Sequence, residues 1–183
     1  MKKRPSNPPA AGGILVFAAP AVNVYTIAMI IISIAEQVLY HRRNTGVRYA
    51  YPISTATKGA GNRQNSLQTP LGKHRIAEKI GAEMPALTAF SARKPCTIYD
   101  PNSDDPGRDW ILSRILWLQG VETGINCRGQ VDTRARYIYI HGTHDEAHIG
   151  TPASHGCIRM NNCDILELFD HVSVGETVYI RNA

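Results

Sequence analysis

Five of the seven histidines lie between positions 141 and 171: His141, His144, His148, His155 and His171. Cys157 stands two residues after His155. Two chemistries compete for such a cluster. One is a metal site, with His141, His144, His148 and Cys157 as four ligands, since imidazole and thiolate both bind zinc. The spacing matches no standard zinc module, and Gly and Pro in HGTHDEAHIGTP prevent two histidines from sharing one helix face. The other is a cysteine nucleophile. A free thiol is only a few per cent ionised at neutral pH, and a nearby imidazole takes its proton. In Ser154-His155-Gly156-Cys157-Ile158-Arg159, Gly156 permits a tight turn that a Cβ would obstruct. That turn can aim the amides of Gly156 and Cys157 at one developing oxyanion. Arg159 is a charged fork suited to a substrate carboxylate. His141 ends a β-branched, aromatic stretch and is the candidate base. His144, His148 and His171 read as solvated loop or surface residues, and Cys163 as a small residue of a helix. No metal and no cofactor are expected.

The elements that must hold these groups are mostly strands. Residues 27–40 are rich in Ile, Val and Met and predict one long strand. A polar turn at 41–46 and a second strand at 47–54 follow. Residues 55–67 carry Gly, Asn, Ser and Thr without periodicity and predict a long, functional loop. Gln68–Gly72 is a turn, 73–80 a strand, and the proline- and aspartate-rich run 95–108 a surface loop. Ile111–Gln119 places its apolar residues at helical spacing and is open between helix and strand. Tyr137–Ile140 predicts a strand. Asn161 or Asn162 caps a helix that carries Ile165, Leu166, Leu168, Phe169 and Val172 on one face and stops before Gly175. Residues 176–181 form a last strand. The class is mainly β, with one or two short helices.

A chain of 183 residues has room for one domain and a tail. The net charge of +5 suggests an anionic partner, but Lys2, Lys3 and Arg4 supply three of those charges. With the uncharged stretch 5–35 behind them, and Ala19-Pro20-Ala21 as a cleavage candidate, residues 1–28 read as an export signal or a flexible tail. The remainder, 29–183, is nearly balanced, and no aromatic–basic motif supports nucleic-acid binding. Cys96, Cys127, Cys157 and Cys163 are too few and too irregular for a disulfide framework.

The motifs IHGT at 140–143 and ASHGCIRMNNCDILELF at 153–169 resemble the signature of the YkuD-type L,D-transpeptidase catalytic domain. SIAEQVLY (33–40), YPIST (51–55), TPLGKHRI (69–76) and ILSRILWLQG (111–120) resemble it too. The resemblance runs from about Met29 to Arg181. It implies a mixed β-sandwich and moves 111–119 to a strand. It implies that Cys157 is the nucleophile and His141 the general acid and base, oriented by the carbonyl of Gly142. His155 and Gly156 would shape the oxyanion site. Arg159 and Ser154 would contact the substrate, a peptidoglycan stem peptide. The product would be a cross-link between third-position diamino acids, or a hydrolysed stem, or an anchored lipoprotein, according to the acceptor. The expected location is the periplasm or cell envelope. A wall-binding module that had lost its chemistry would show gaps in the catalytic set, and the motifs show none.

Overall fold

The computed structural model describes residues 14–15 and 27–183. The expected export signal or tail at 1–28 lies almost wholly outside the described residues. Eleven strands form one sheet: β1 (Ile14–Leu15), β2 (Met29–Ser33), β3 (Val38–Arg42), β4 (Arg48–Ser54), β5 (Gly72–Ile80), β6 (Thr88–Ser91), β7 (Lys94–Ile98), β8 (Ile111–Gly120), β9 (Tyr139–Gly142), β10 (Ile158–Met160) and β11 (Thr177–Arg181). One helix, α1 (Asn162–His171), and two single 3-10 turns complete the described elements. The mainly β class is as expected.

The strand order β5-β11-β2-β3-β4-β10-β9-β8 closes on itself because β8 also pairs with β5. The result is a barrel-like ring. Alternation along each strand fills it: Ile30 and Ile32, Ile140, Ile158 and Met160, Val178 and Ile180 all point into one core. Helix α1 adds Ile165, Leu168 and Phe169 to that core. The Nζ of Lys79 donates to the last carbonyls of the helix, Phe169 O at 2.6 Å and Val172 O at 2.7 Å, where a cation also suits the dipole. Asn161 occupies the N-cap position without a side-chain cap bond. Its amide donates to Asp164 instead.

Three sequence expectations are corrected. The single strand at 27–40 is two strands folded over a four-residue turn at 34–37. No Gly, Pro or Asn marks that turn. Gln37 takes a positive φ of 51°, and its side chain supports the bend by donating to Ile34 O at 2.5 Å and Thr55 Oγ1 at 2.7 Å. The run 95–108 is a loop only from Tyr99 onward, because Lys94–Ile98 is an exposed strand paired with β6. The strand at 137–140 begins two residues later, and His141 lies inside it rather than after it. Segment 111–120 is a strand whose helical look has a simple cause. Between Leu112, opposite Gly142, and Ile115, opposite His141, the strand bulges, with Ser113 at φ 64°. A bulge resets the two-residue alternation.

His74 sits fully buried at the end of β5. Its Nδ1–H donates to Gly72 O at 3.0 Å, and its Nε2 accepts from the Thr133 hydroxyl at 3.1 Å. Burial pushes its pKa down to about 4, so the fold holds the neutral ring. The stability this gives is present above the ordinary histidine value and is lost as pH falls toward 4. Denaturant titrations at pH 7 and pH 4.5 are expected to show a loss with a His74 share of roughly 3 kcal/mol at most. In His74→Gln that loss is smaller. An identical loss in both proteins would refute it.

Candidate active site

The site is built on the only stretch where β9 meets β10. They pair in parallel, with Ile158 opposite Ile140, Arg159 opposite His141 and Met160 opposite Gly142. Ile140, Ile158 and Met160 face the core. The odd-numbered neighbours therefore share the other face: Tyr139 and His141 from β9, Arg159 from β10, and Cys157 just before it. Tyr139 and Cys157 indeed pack in a separate apolar cluster with Ile115 and Trp117. His141 and Cys157 thus stand on one face of adjacent strands, two residues apart in register.

His141 is 2% exposed. Its Nδ1 lies 2.8 Å from Gly142 O. A carbonyl only accepts, so Nδ1 carries the proton and Nε2 is left as the basic nitrogen. Burial lowers the His141 pKa; the Gly142 contact and Asp109 oppose this, and Arg159 adds to it. Gly142 is boxed in, since a Cβ there would meet Asn162 Oδ1 and the Leu112 carbonyl. Asn162 itself donates to Thr143 O at 2.7 Å and accepts from Ser113 Oγ at 2.6 Å. The first turn of α1 therefore fixes the segment that carries His141.

Cys157 is half-buried. Its sulfur accepts from the Tyr139 amide at 3.4 Å and its S–H donates to Tyr137 O at 3.5 Å. Burial pushes the thiol up to about 11. The Tyr139 amide, Arg159 and Arg136 pull the other way, and Asp109 adds to the rise. Burial thus disfavours the charged form of both groups, raising the thiol and lowering the imidazole.

The turn before Cys157 is held by its own polar groups. Gly156 has φ 133°, and a Cβ would press on Ile138 Cδ1 at 3.3 Å and Gln68 O at 3.4 Å. The Gly156 amide, expected as an oxyanion donor, donates to Ser154 Oγ at 3.2 Å. Ser154, expected to touch substrate, is 2% exposed and donates to Cys157 O at 2.6 Å. Thr69 Oγ1 donates to Gly156 O at 3.0 Å and accepts from the Ala56 amide, so the 55–69 loop is tied to the turn before Cys157. Arg136 grips the same loop through Gly61 O and Gln68 O.

Arg159 is 5% exposed and engaged on both arms, with Asp109 Oδ1 at 2.7 Å and Asp145 Oδ2 at 3.5 Å. Only its Nε is buried without a partner. His155, largely exposed, donates from Nδ1 to Asp109 Oδ2 at 3.1 Å. Burial disfavours the Asp109 anion, yet Arg159 and His155 together hold its carboxyl below the usual range. Asp109 and Asp145 went unread in the sequence: one hides in a polar loop and the other inside the histidine run. His144 meets the Pro106 carbonyl, His148 pairs with Asp145, and His171 donates to Glu167 O. Among the described residues no three His, Cys, Asp or Glu side chains converge on a metal position. A cleft of about 210 Å³ lies beside the thiol, lined by Gln64, Leu67, Arg136, Tyr137, Ile138 and His155 among others.

The family model for the L,D-transpeptidase catalytic domain, YkuD, matches residues 28–180. The chain belongs to this family. It is 53% identical over 45 residues to a Salmonella typhimurium protein named "Probable L,D-transpeptidase ErfK/SrfK", a match covering 25% of this chain and 15% of that one. Its fold is similar to that of L,D-transpeptidase 3 from Mycobacterium tuberculosis, solved with a faropenem-derived adduct, at TM-score 0.53 and 16% identity over 84% of this chain and 60% of that one. An Enterococcus faecium L,D-transpeptidase is similar at TM-score 0.52 and 16% identity over 85% and 50%. The chain thus spans less than two thirds of each of these relatives.

A thiol raised by burial has a kinetic signature. Site-resolved iodoacetamide labelling of Cys157 is expected to quicken continuously from pH 7 to pH 10, because only the thiolate reacts. A plateau reached below pH 8 would mean a stable thiolate–imidazolium pair.

Proposed function

We propose that the chain is a peptidoglycan L,D-transpeptidase that works through a thioester on Cys157. The observation that carries this reading is the shared face of Cys157 and His141, with the His141 Nδ1–H directed at Gly142 O. That tautomer leaves Nε2 free to accept a proton, and the raised thiol supplies one. The sulfur attacks the carbonyl of the third-position diamino acid of a tetrapeptide stem as its proton passes to His141. The tetrahedral intermediate collapses, the C–N bond to D-alanine breaks, and His141 returns the proton to the leaving amine. A second stem's side-chain amine then attacks the thioester and gives up a proton to the same imidazole. The product is a cross-link between two third-position residues, and the free thiol is restored. Water in place of the amine yields an L,D-carboxypeptidase product, and a lipoprotein lysine yields an anchored protein. Such substrates lie in the periplasm or cell envelope, which the export-signal reading of residues 1–28 favours.

The oxyanion needs donors when the intermediate forms. The Gly156 amide is held by Ser154 only at 3.2 Å, a weak bond that a negatively charged oxygen outcompetes. The Cys157 amide is the adjacent donor.

Mass spectrometry of tetrapeptide stems, with and without an acceptor amine, tests the reading. Wild-type protein is expected to release D-alanine and to form the cross-linked dimer when the amine is present. Cys157→Ala is expected to release none, and His141→Gln to lower the rate by about 10²- to 10⁴-fold. Full activity in Cys157→Ala sinks the proposal, and hydrolysed stem alone replaces transpeptidation by carboxypeptidation.

A further inference from the structure

Next to the thiol lies a platform that the mechanism does not use. Tyr137 takes φ 57° and is 53% exposed. Its carbonyl meets the Cys157 sulfur while its ring stacks on Trp117, centroids 5.9 Å apart and planes at 25°. Tyr139 closes the other edge of Trp117 at 5.8 Å, nearly perpendicular. Two guanidinium groups lie over this aromatic surface. Arg93 sits 4.7 Å from the Trp117 centroid and 5.1 Å from that of Tyr137, and Arg134 sits 4.5 Å from Trp117. An open groove of about 330 Å³ runs along Trp117, Gln119, Asp132, Arg134 and Tyr137.

Arg93 donates to the Tyr139 hydroxyl at 3.2 Å, and among the described residues it has no carboxylate within ion-pair reach. Arg134 reaches only Glu78, at 3.4 Å, and both side chains of that pair are 40% or more exposed. Asp132 lines the same groove; its oxygens accept from the Arg128 and Ala135 amides, and Arg134 is among the charges that hold it ionised. A guanidinium stacked flat on a ring keeps its in-plane N–H groups free for a second, bidentate partner. Such a pair of pre-positioned cations fits a carboxylate better than a neutral group.

We propose that Arg93 and Arg134, held on Trp117 and Tyr137, form a subsite for a free side carboxylate of the acyl-donor stem. The inference rests on the reading of the chain as an L,D-transpeptidase. Tyr137 links the two places, since one residue supplies both the floor of the subsite and a contact to the nucleophile. A stem seated here presents its carboxylate to the arginines and its reacting carbonyl to Cys157. The subsite therefore selects stems whose side carboxylates are free over stems in which they are amidated. Arg159, buried and already paired with two aspartates, does not compete for that group.

The test compares a free-carboxylate tetrapeptide stem with its amidated counterpart. In the inactive Cys157→Ala protein, calorimetric titration is expected to give about tenfold tighter binding of the free acid. In Cys157→Ala carrying Arg93→Gln and Arg134→Gln that preference disappears, with binding of the amidated stem unchanged. In the active protein the same two arginine changes raise KM for the free acid and leave kcat on the amidated stem intact, which also reports a sound fold. The preference weakens as salt rises. Equal binding of both stems by the parent protein, or a preference that survives the double change, overturns the subsite. Absence of D-alanine release from either stem overturns the transpeptidase reading instead, and the binding comparison still decides the subsite.

Discussion

The parallel pairing of β9 with β10 is the constraint on which everything near Cys157 depends. In an otherwise largely antiparallel ring it brings two distant pieces of chain into register, residue for residue. Because alternation along a strand is strict, one register choice sends Ile140, Ile158 and Met160 inward and Tyr139, His141, Cys157 and Arg159 outward. A slip by one residue would bury the acid–base group in the core and turn Ile140 toward the thiol. The core and the site are therefore specified by the same pairing, and the apolar residues that hold the ring together also aim the chemistry.

Around that pairing the support comes from groups that are themselves fully occupied. Asn162 ties the start of the helix to Thr143 and to the bulge at Ser113. Ser154 closes the turn before Cys157, and Thr69 joins that turn to the long loop. Asp109 stands between Arg159 and His155, balancing a buried cation that would otherwise lack a counter-charge. Its field also raises the proton affinity of both Cys157 and His141. Burial at the same time raises the Cys157 thiol and lowers the His141 imidazole, disfavouring the charged form of each.

Much of this was legible in the sequence. The S-H-G-C-x-R and H-G-T motifs carried the family and pointed to Cys157 and His141, because turn chemistry and side-chain type are local properties. The helix at 162–171 and the strands at 73–80 and 177–181 declared themselves by periodicity. What stayed hidden was set by partners far along the chain. The turn at 34–37 lacks any breaker residue and depends on Gln37 reaching Thr55. The bulge at 113–114 disguised β8 as a helix. Asp109 and Asp145 gain meaning only when the fold sets them against Arg159. Tyr137, Trp117, Arg93 and Arg134 come from four separate segments, and no spacing rule could have joined them.

The closed ring has a consequence for how a peptide can be recognised. β9 is flanked by β8 and β10, and β10 by β9 and β4, so neither strand beside the thiol has a vacant edge. An extended peptide cannot dock there by adding itself as another strand, the mode that gives many peptide-binding domains their affinity through main-chain bonds. One edge among the described strands, β7, lies at the far end of the strand order and carries Lys94 and Pro95, residues that discourage such pairing. Recognition beside Cys157 must therefore be written in side chains and loop amides, which makes selectivity adjustable one residue at a time without disturbing the barrel that carries it.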